Sequence, residues 1–75
     1  MKVTVRLIGG FVYTLGFRER ELELAPGTTV AELLDALAIN RTRPVIVGRN
    51  GWAIDLVEEL GDGDRILVSP VFSGG

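Results

Sequence analysis

The chain has 75 residues, of which 47% are apolar, and its formal net charge is −2. This length fits one small domain, and the apolar fraction indicates a packed core instead of a disordered segment. The sequence contains no cysteine and no histidine, which excludes disulfides, nucleophiles of these two types and the usual zinc ligands. Because Lys2 is the only lysine, a glycine-rich phosphate loop with its lysine is excluded too. We therefore expect a protein that is not an enzyme.

The charge distribution and the hydropathy of the chain limit the classes of partner that it can bind. Acidic and basic residues are interspersed, whereas nucleic-acid binding requires a clustered basic surface. No apolar run approaches the ~20 residues of a membrane helix, and the N-terminal residues alternate in polarity, unlike the apolar core of a signal peptide. The sequence predicts a cytoplasmic protein that binds neither nucleic acid nor a membrane.

The first third of the chain predicts two strands. Val3, Val5 and Leu7 alternate with polar residues, as in a half-buried strand. Leu22 and Leu24 alternate with glutamates in the same way, so the two segments should pair as an antiparallel hairpin with a long connection. The stretch FVYTLGFRE in that connection either continues a wide hairpin or forms a loop. Its aromatic side chains, Phe11, Tyr13 and Phe17, are expected in the core, where they would cover a sheet end, with a docking surface as the alternative.

One amphipathic helix follows the turn APG. Thr29 and Glu32 have the spacing of a capping box, in which each side chain accepts a hydrogen bond from the backbone N–H of the other residue. Four apolar residues with spacing i, i+3, i+4 and i+7 then form one helix face: Val30, Leu33, Leu34 and Leu37. The pattern predicts a helix over 30–38, which ends before Asn40.

The second half predicts three strands. PVIV reads as a buried strand, and Asn50-Gly51 favours a two-residue type I′ turn into a short strand at WAI. Trp52 is expected at the rim of the core or inside it. After the turn GDGD comes the strand RILV, in which Ile66 and Val68 face the core and Leu67 faces outward.

The order β-β-α-β-β-β predicts an α+β fold. Its compact solution is a β-grasp roll, with a mixed sheet, one main helix packed on one face, and the last strand parallel to the first. Leu67 and Ile46 should lie on the face that the helix leaves open. Exposed apolar patches on small domains are usually interaction sites, so these two residues are candidate docking residues for a partner.

The acidic residues between 58 and 64 are interpreted as a solvated turn. A hard-cation site needs several converging oxygens, whereas the DGD sequence is explained by turn chemistry. No metal site is therefore predicted.

The last six residues predict a flexible tail. Pro70 cannot donate a hydrogen bond to a sheet, and it favours an extended Ser69. The domain should therefore span residues 1–69 and the tail residues 70–75, with a reach of roughly 20 Å. Two interpretations of Phe72 remain: it inserts into a partner's pocket, or it packs back onto the body of the domain.

The tail ends in Gly74-Gly75, whose carboxylate is a weak electrophile until a partner enzyme converts it to an acyl adenylate with ATP. Glycine at both positions removes bulk from the approach to that carbonyl. A sulfur nucleophile would then produce a thiocarboxylate, and a lysine amine would produce a covalent tag. No cofactor is expected to bind to the chain itself, since the ATP would be used by the activating enzyme.

The helix TVAELLDALA, the Asn-Gly hairpin, the turn GDGD and the ending SPVFSGG together resemble the MoaD/ThiS family of ubiquitin-like sulfur carriers. The resemblance covers essentially the whole chain. It implies a β-grasp fold, adenylation of Gly75 by a ubiquitin-activating-type (MoeB/ThiF-like) enzyme, and conversion of Gly75 to a thiocarboxylate.

Within this family, Pro70 favours the small subunit of molybdopterin synthase, whereas the stretch GGFVYTLGFRE departs from that pattern. The resemblance implies a tail inserted into the large catalytic (MoaE-like) subunit, where it would deliver sulfur to a pterin precursor. The inserted residues would be Phe72, Ser73, Gly74 and Gly75. The alternatives are a carrier for thiamine thiazole or another sulfur-containing product, a protein modifier joined through Gly75, and an interaction module with an inert end.

Overall fold

The computed structural model of the chain describes residues 1–71, so the predictions for residues 72–75 lie outside the described part. Five strands and two helices follow one another in the order β-α-β-α-β-β-β. Their bounds are β1 Lys2–Leu7, α1 Gly10–Leu15, β2 Glu19–Glu23, α2 Val30–Ala36, β3 Val45–Arg49, β4 Trp52–Ile54 and β5 Arg65–Pro70.

The strands form a single mixed sheet in the order β2-β1-β5-β3-β4. β1 and β2 pair as the predicted antiparallel hairpin, and β5 lies parallel to β1 in the centre of the sheet. β3 pairs antiparallel with β5 on one side and with β4 on the other. The predicted ubiquitin-like β-grasp fold is therefore confirmed.

The core lies between α2 and one face of the sheet. Alternate residues of β1 and β5 point into it, as their burial patterns show. α2 contributes Val30, Leu33 and Leu34, each 0% exposed. The predicted inward orientation of Ile66 and Val68 is confirmed, since their exposures are 2% and 0%.

α2 begins where the capping box predicted and ends two residues early. Thr29 Oγ1 accepts from the Glu32 N–H at 3.2 Å, and Glu32 Oε1 accepts from the Thr29 N–H at 3.0 Å. The helix stops at Ala36 because Ala38 takes a positive φ of 58°. That reversal lets the N–H of Ile39 bond to the Leu34 carbonyl at 2.9 Å and places Ile39 in the core.

Replacing Thr29 with alanine should lower the free energy of unfolding by about 1 kcal/mol, because one end of the helix loses its side-chain acceptor. Urea denaturation followed by circular dichroism measures this change. The control is Glu32→Gln, which keeps a side-chain oxygen at the same position and should cost less. Equal losses in the two variants would contradict a role for the reciprocal cap.

The connection between β1 and β2 differs from both sequence interpretations, because it contains the short helix α1. The helix starts after Gly9 (φ 62°) and ends at Gly16 (φ 82°), two backbone conformations that glycine adopts without strain. Phe11 and Leu15 lie one helical turn apart and both pack against the core. Tyr13 faces away and is 89% exposed, so its predicted core position is wrong.

In the second half, the predicted Asn-Gly hairpin is confirmed, whereas the predicted end of the last strand is wrong. Asn50 and Gly51 have φ values of 52° and 91°, as a type I′ turn requires, and they connect β3 to β4. β5 is longer than the predicted strand, because Ser69 and Pro70 still pair with β3. Pro70, which the sequence assigned to the tail, is therefore the last residue of the sheet.

The helices between residues 1 and 71 have six and seven residues, and neither is long and apolar enough to cross a membrane.

Candidate docking face and tail exit

The sheet face opposite α2 carries the two predicted docking residues. Ile46 and Leu67 are 50% and 40% exposed, respectively. Ile46 pairs with Ser69 and Leu67 pairs with Gly48, so the two apolar side chains are diagonal neighbours across β3 and β5. The predicted position of both residues on the uncovered face is confirmed, and their docking role stays a prediction.

A shallow groove runs beside these two side chains, and we call it the open-face groove. Its apolar part is formed by Ile46, Leu67, Gly48 and Ala53, and the backbone of Trp52 borders it. Gly48 lies between Leu67 and Ala53 in the register, and a Cβ atom there would lie 3.5 Å from the Trp52 carbonyl oxygen and 3.9 Å from Leu67 Cβ. The missing side chain keeps the floor of the groove low.

Trp52 corrects the sequence interpretation, which placed it at the rim of the core or inside it. Its exposure is 79% because β4 is a three-residue edge strand at the far side of the sheet. Trp52 pairs with Arg49, which pairs with the buried Ile66, so strand alternation places the Trp52 side chain on the helix side of the sheet and not in the groove. Sequence reasoning missed the exposure of Trp52, because periodicity does not indicate which strand will be at an edge of the sheet.

The other half of the open face is charged. Lys2 Nζ lies 3.9 Å from Glu21 Oε1, and Arg65 Nη2 lies 3.8 Å from Glu19 Oε1. All four side chains are mostly exposed, so these pairs contribute little to stability. The face therefore combines an apolar half with a half of mixed charge, which is a composition suited to a protein partner.

The tail leaves the body between the open face and the helical side of the domain. β5 is the central strand, and its last residue, Pro70, pairs with Val45 at the start of β3. The N–H of Val71 still donates to the Pro44 carbonyl at 3.3 Å. The path of the chain is thus fixed up to residue 71, and the candidate residues Phe72, Ser73, Gly74 and Gly75 follow outside the described part.

The acidic segment 58–64 has structural partners. Arg49 Nη1 donates to the Glu59 carbonyl at 2.8 Å, and its guanidinium also bonds to the carboxylates of Glu58 (3.2 Å) and Asp64 (3.5 Å). Asp64 Oδ2 accepts from the Gly61 N–H at 2.7 Å, as turn chemistry predicts. Arg49 therefore holds this segment against β3, a role that the sequence did not reveal.

Comparisons with known proteins place the chain in a family. The model of the ThiS family matches residues 5–75, nearly the whole chain. The chain belongs to the ThiS family. A search of curated protein sequences finds no match.

Solved structures extend the comparison to relatives of this ThiS-family chain. It is 26% identical to SAMP1 from Haloferax volcanii, with a TM-score of 0.82 and 100% of both chains covered. It is 27% identical to a putative molybdopterin converting factor subunit 1 from Pyrococcus furiosus, with a TM-score of 0.81 and coverage of 93% of this chain and 97% of that one.

A third similar structure is a complex of subunits 1 and 2 of the molybdopterin-converting factor from Helicobacter pylori 26695. The identity there is 24%, the TM-score is 0.67, and 100% of both chains is covered, which shows a common fold. Taken together, the comparisons make the chain a ThiS/MoaD-type sulfur carrier or a ubiquitin-like modifier. Small proteins of these two types are generally not catalytic.

Proposed function

We propose that the chain is a sulfur carrier whose working group is the carboxylate of Gly75. The observation that supports this most is the extent of the family match, which runs through residue 75 and so includes Gly74-Gly75. The position of β5 supports the proposal as well, since this central strand ends at Pro70, five residues before Gly75.

The proposed chemistry belongs to partner enzymes. An adenylating enzyme of the ubiquitin-activating (MoeB/ThiF-like) type joins the Gly75 carboxylate to the α-phosphate of ATP, and pyrophosphate leaves. A hydrosulfide ion supplied by the sulfur source then attacks the Gly75 carbonyl carbon and loses its proton. The new C–S bond forms as the C–O bond to AMP breaks, and AMP leaves with the electron pair. The product is a thiocarboxylate on Gly75, formed where ATP is available, in the cytoplasm.

Among sulfur acceptors, we propose a pterin precursor in molybdopterin biosynthesis. The supporting relative is the P. furiosus protein, a putative molybdopterin converting factor subunit 1. In the H. pylori structure, a chain of the same fold is in complex with subunit 2. On this proposal, the chain is the small subunit of molybdopterin synthase. Phe72, Ser73, Gly74 and Gly75 would enter the large (MoaE-like) subunit. A carrier for thiamine thiazole is the alternative within the same chemistry.

The second candidate function is protein modification through Gly75. The similarity to SAMP1, whose H. volcanii structure is also described as small archaeal modifier protein 1, favours it. In that case the nucleophile is a lysine amine of a target protein, and an amide replaces the acyl adenylate. Because Lys2 is the only lysine, this chain offers a single side-chain acceptor for linkage to further copies of itself.

Intact-mass spectrometry of the protein from its own cells tests the proposal, before and after incubation with ATP, a sulfur source and the activating enzymes of those cells. A mass gain equal to one oxygen replaced by one sulfur, located in the C-terminal peptide, is expected. A mass that stays unmodified after the incubation would contradict the sulfur function.

Trypsin digestion of total cell protein tests the modifier candidate. Arg65 is the last basic residue, so a conjugated target should carry the remnant ILVSPVFSGG on an acceptor lysine. Targets with this remnant would support the modifier function, and their absence from cells that contain the protein would contradict it.

A further inference from the structure

A cleft lies beside the tail exit, on the side of β5 away from the open-face groove, and we call it the exit cleft. Three segments enclose it: α1, the connection between α2 and β3, and the end of β5. Most of its lining is apolar, formed by Phe11, Leu15, Ile39, Pro44, Val45 and Pro70. Since Val71 bonds to Pro44, the tail begins at the border of this cleft.

The polar groups around the exit cleft are largely satisfied within the chain. Thr14 Oγ1 donates to the Gly10 carbonyl at 3.1 Å, and Asn40 Oδ1 accepts from the Thr42 N–H at 2.9 Å. The cleft therefore lacks the convergent polar groups that orient a small-molecule ligand. The groups that remain available to a partner are the apolar wall and the cationic side chain of Arg43.

Arg43 is exposed, and none of the ion pairs between residues 1 and 71 involves it. Its neighbour Arg41 pairs with Asp35 at 3.2 Å, but both side chains are exposed, so the pair is weak and open to exchange. Arg43, which lines the cleft, thus has no carboxylate partner among residues 1–71, and Arg41 lies two positions before it in the sequence.

The opposite end of the domain carries the acidic segment. The Gly63 N–H donates to the Lys2 carbonyl and the Thr4 N–H to the Asp64 carbonyl, so this segment lies where β1 and β5 begin. Because β5 runs from that end to Pro70, this segment and its partner Arg49 lie at one end of the domain, and Arg41 and Arg43 lie at the other. At the tail end, the exposed guanidinium of Arg43 favours encounter with an acidic partner surface.

We infer that the exit cleft is a second docking surface, which receives an apolar side chain flanked by carboxylates from the enzyme that activates Gly75. The partner's apolar group packs on Phe11, Leu15 and Pro44, and its carboxylates pair with Arg43 and Arg41. This contact fixes the root of the tail, while the open-face groove holds the opposite side of the sheet. The inference rests on the proposed activation of Gly75.

The test combines nuclear magnetic resonance with kinetics, using the purified adenylating enzyme from the same cells as the probe. Titration of the 15N-labelled chain with this enzyme, without ATP, should shift or broaden the amide signals of Phe11, Thr14, Asn40, Arg43 and Val45. In ATP–pyrophosphate exchange, Arg43→Glu should raise the KM for the chain about tenfold, with kcat changed less than twofold.

Two variants serve as controls. Arg43→Lys keeps the charge and should stay close to the unmodified chain. Arg20→Glu makes the same change of charge on the edge strand β2, where Arg20 lies over the Phe17 ring at 4.3 Å, and it should leave KM within twofold. Higher salt should raise KM for the unmodified chain more than for Arg43→Glu.

Equal KM increases for Arg43→Glu and Arg20→Glu would overturn the inference, as would amide shifts confined to residues outside the cleft, or none. A further comparison uses the spectra of the unmodified chain and of Phe72→Ala, both without the enzyme. If these two spectra differ at the same cleft amides, the inference is overturned, because the tail itself would then occupy the cleft. Shifts in the cleft without any exchange activity would support the docking surface and reject the proposed activation of Gly75. Exchange activity with amide shifts only outside the cleft would support the proposed activation of Gly75 and reject the docking surface.

Discussion

Deleting Gly75 is expected to abolish formation of the acyl adenylate without changing the free energy of unfolding. The deletion shortens the tail by one residue, so its carboxylate no longer reaches the position at which the activating enzyme presents ATP. Displacement of a reacting group by about 1 Å costs on the order of 100-fold in rate, and removal of one residue displaces it by roughly 3.5 Å. The fold should be unaffected, because the buried core of the described residues, 1–71, lies between Val3 and Val68.

ATP–pyrophosphate exchange with the activating enzyme measures the first effect, and urea denaturation measures the second. Ser73→Ala is the matched control, since it changes the tail but keeps its length and both terminal glycines. The control should be adenylated at the rate of the unmodified chain. Adenylation of the shortened chain at that same rate would show that Gly75 is not the working group.

Replacing Leu67 with aspartate is expected to weaken binding to the activating enzyme by about 30-fold or more. A central apolar contact of an interface can be worth about 2 kcal/mol, and the substitution puts a charge where the partner must exclude water. Leu67 is 40% exposed on the uncovered face, so the domain should remain folded, with at most about 1 kcal/mol lost.

Isothermal titration calorimetry with the activating enzyme measures this affinity. Val57→Asp is the matched control, because Val57 is an apolar residue with 83% exposure in the loop after β4 and does not line the open-face groove. It should leave the affinity within twofold. An unchanged affinity for Leu67→Asp, or an equal loss for both variants, would reject the open face as the docking surface.

The two proposed surfaces have one strand in common. Leu67 lies on the open side of β5, and Pro70 borders the exit cleft at its end. A partner that binds both surfaces holds β5 from two sides and so sets the direction in which the following residues leave the body. This placement is how a carrier without catalytic groups can contribute to a reaction, since orienting a reacting group lowers its activation free energy.

Short sequence motifs determined a large part of this structure. Thr29 and Glu32 specify the start of α2 because the capping box closes within four residues. Asn50-Gly51 specifies the β3–β4 turn because both residues tolerate positive φ. The alternation in RILV specifies which side chains of β5 face the core and leaves Leu67 outside. These features depend on neighbours in sequence, so one sequence suffices to predict them.

Other features depend on residues that are distant in sequence, and only the tertiary structure decided them. The bonds of Arg49 to residues 58–64 exist because β3 and that segment meet in space. The exposure of Trp52 follows from the position of β4 at the edge of the sheet, and the length of β5 follows from its pairing with β3. The exit cleft needs α1, the α2–β3 connection and Pro70 together, so no single stretch of sequence could indicate it.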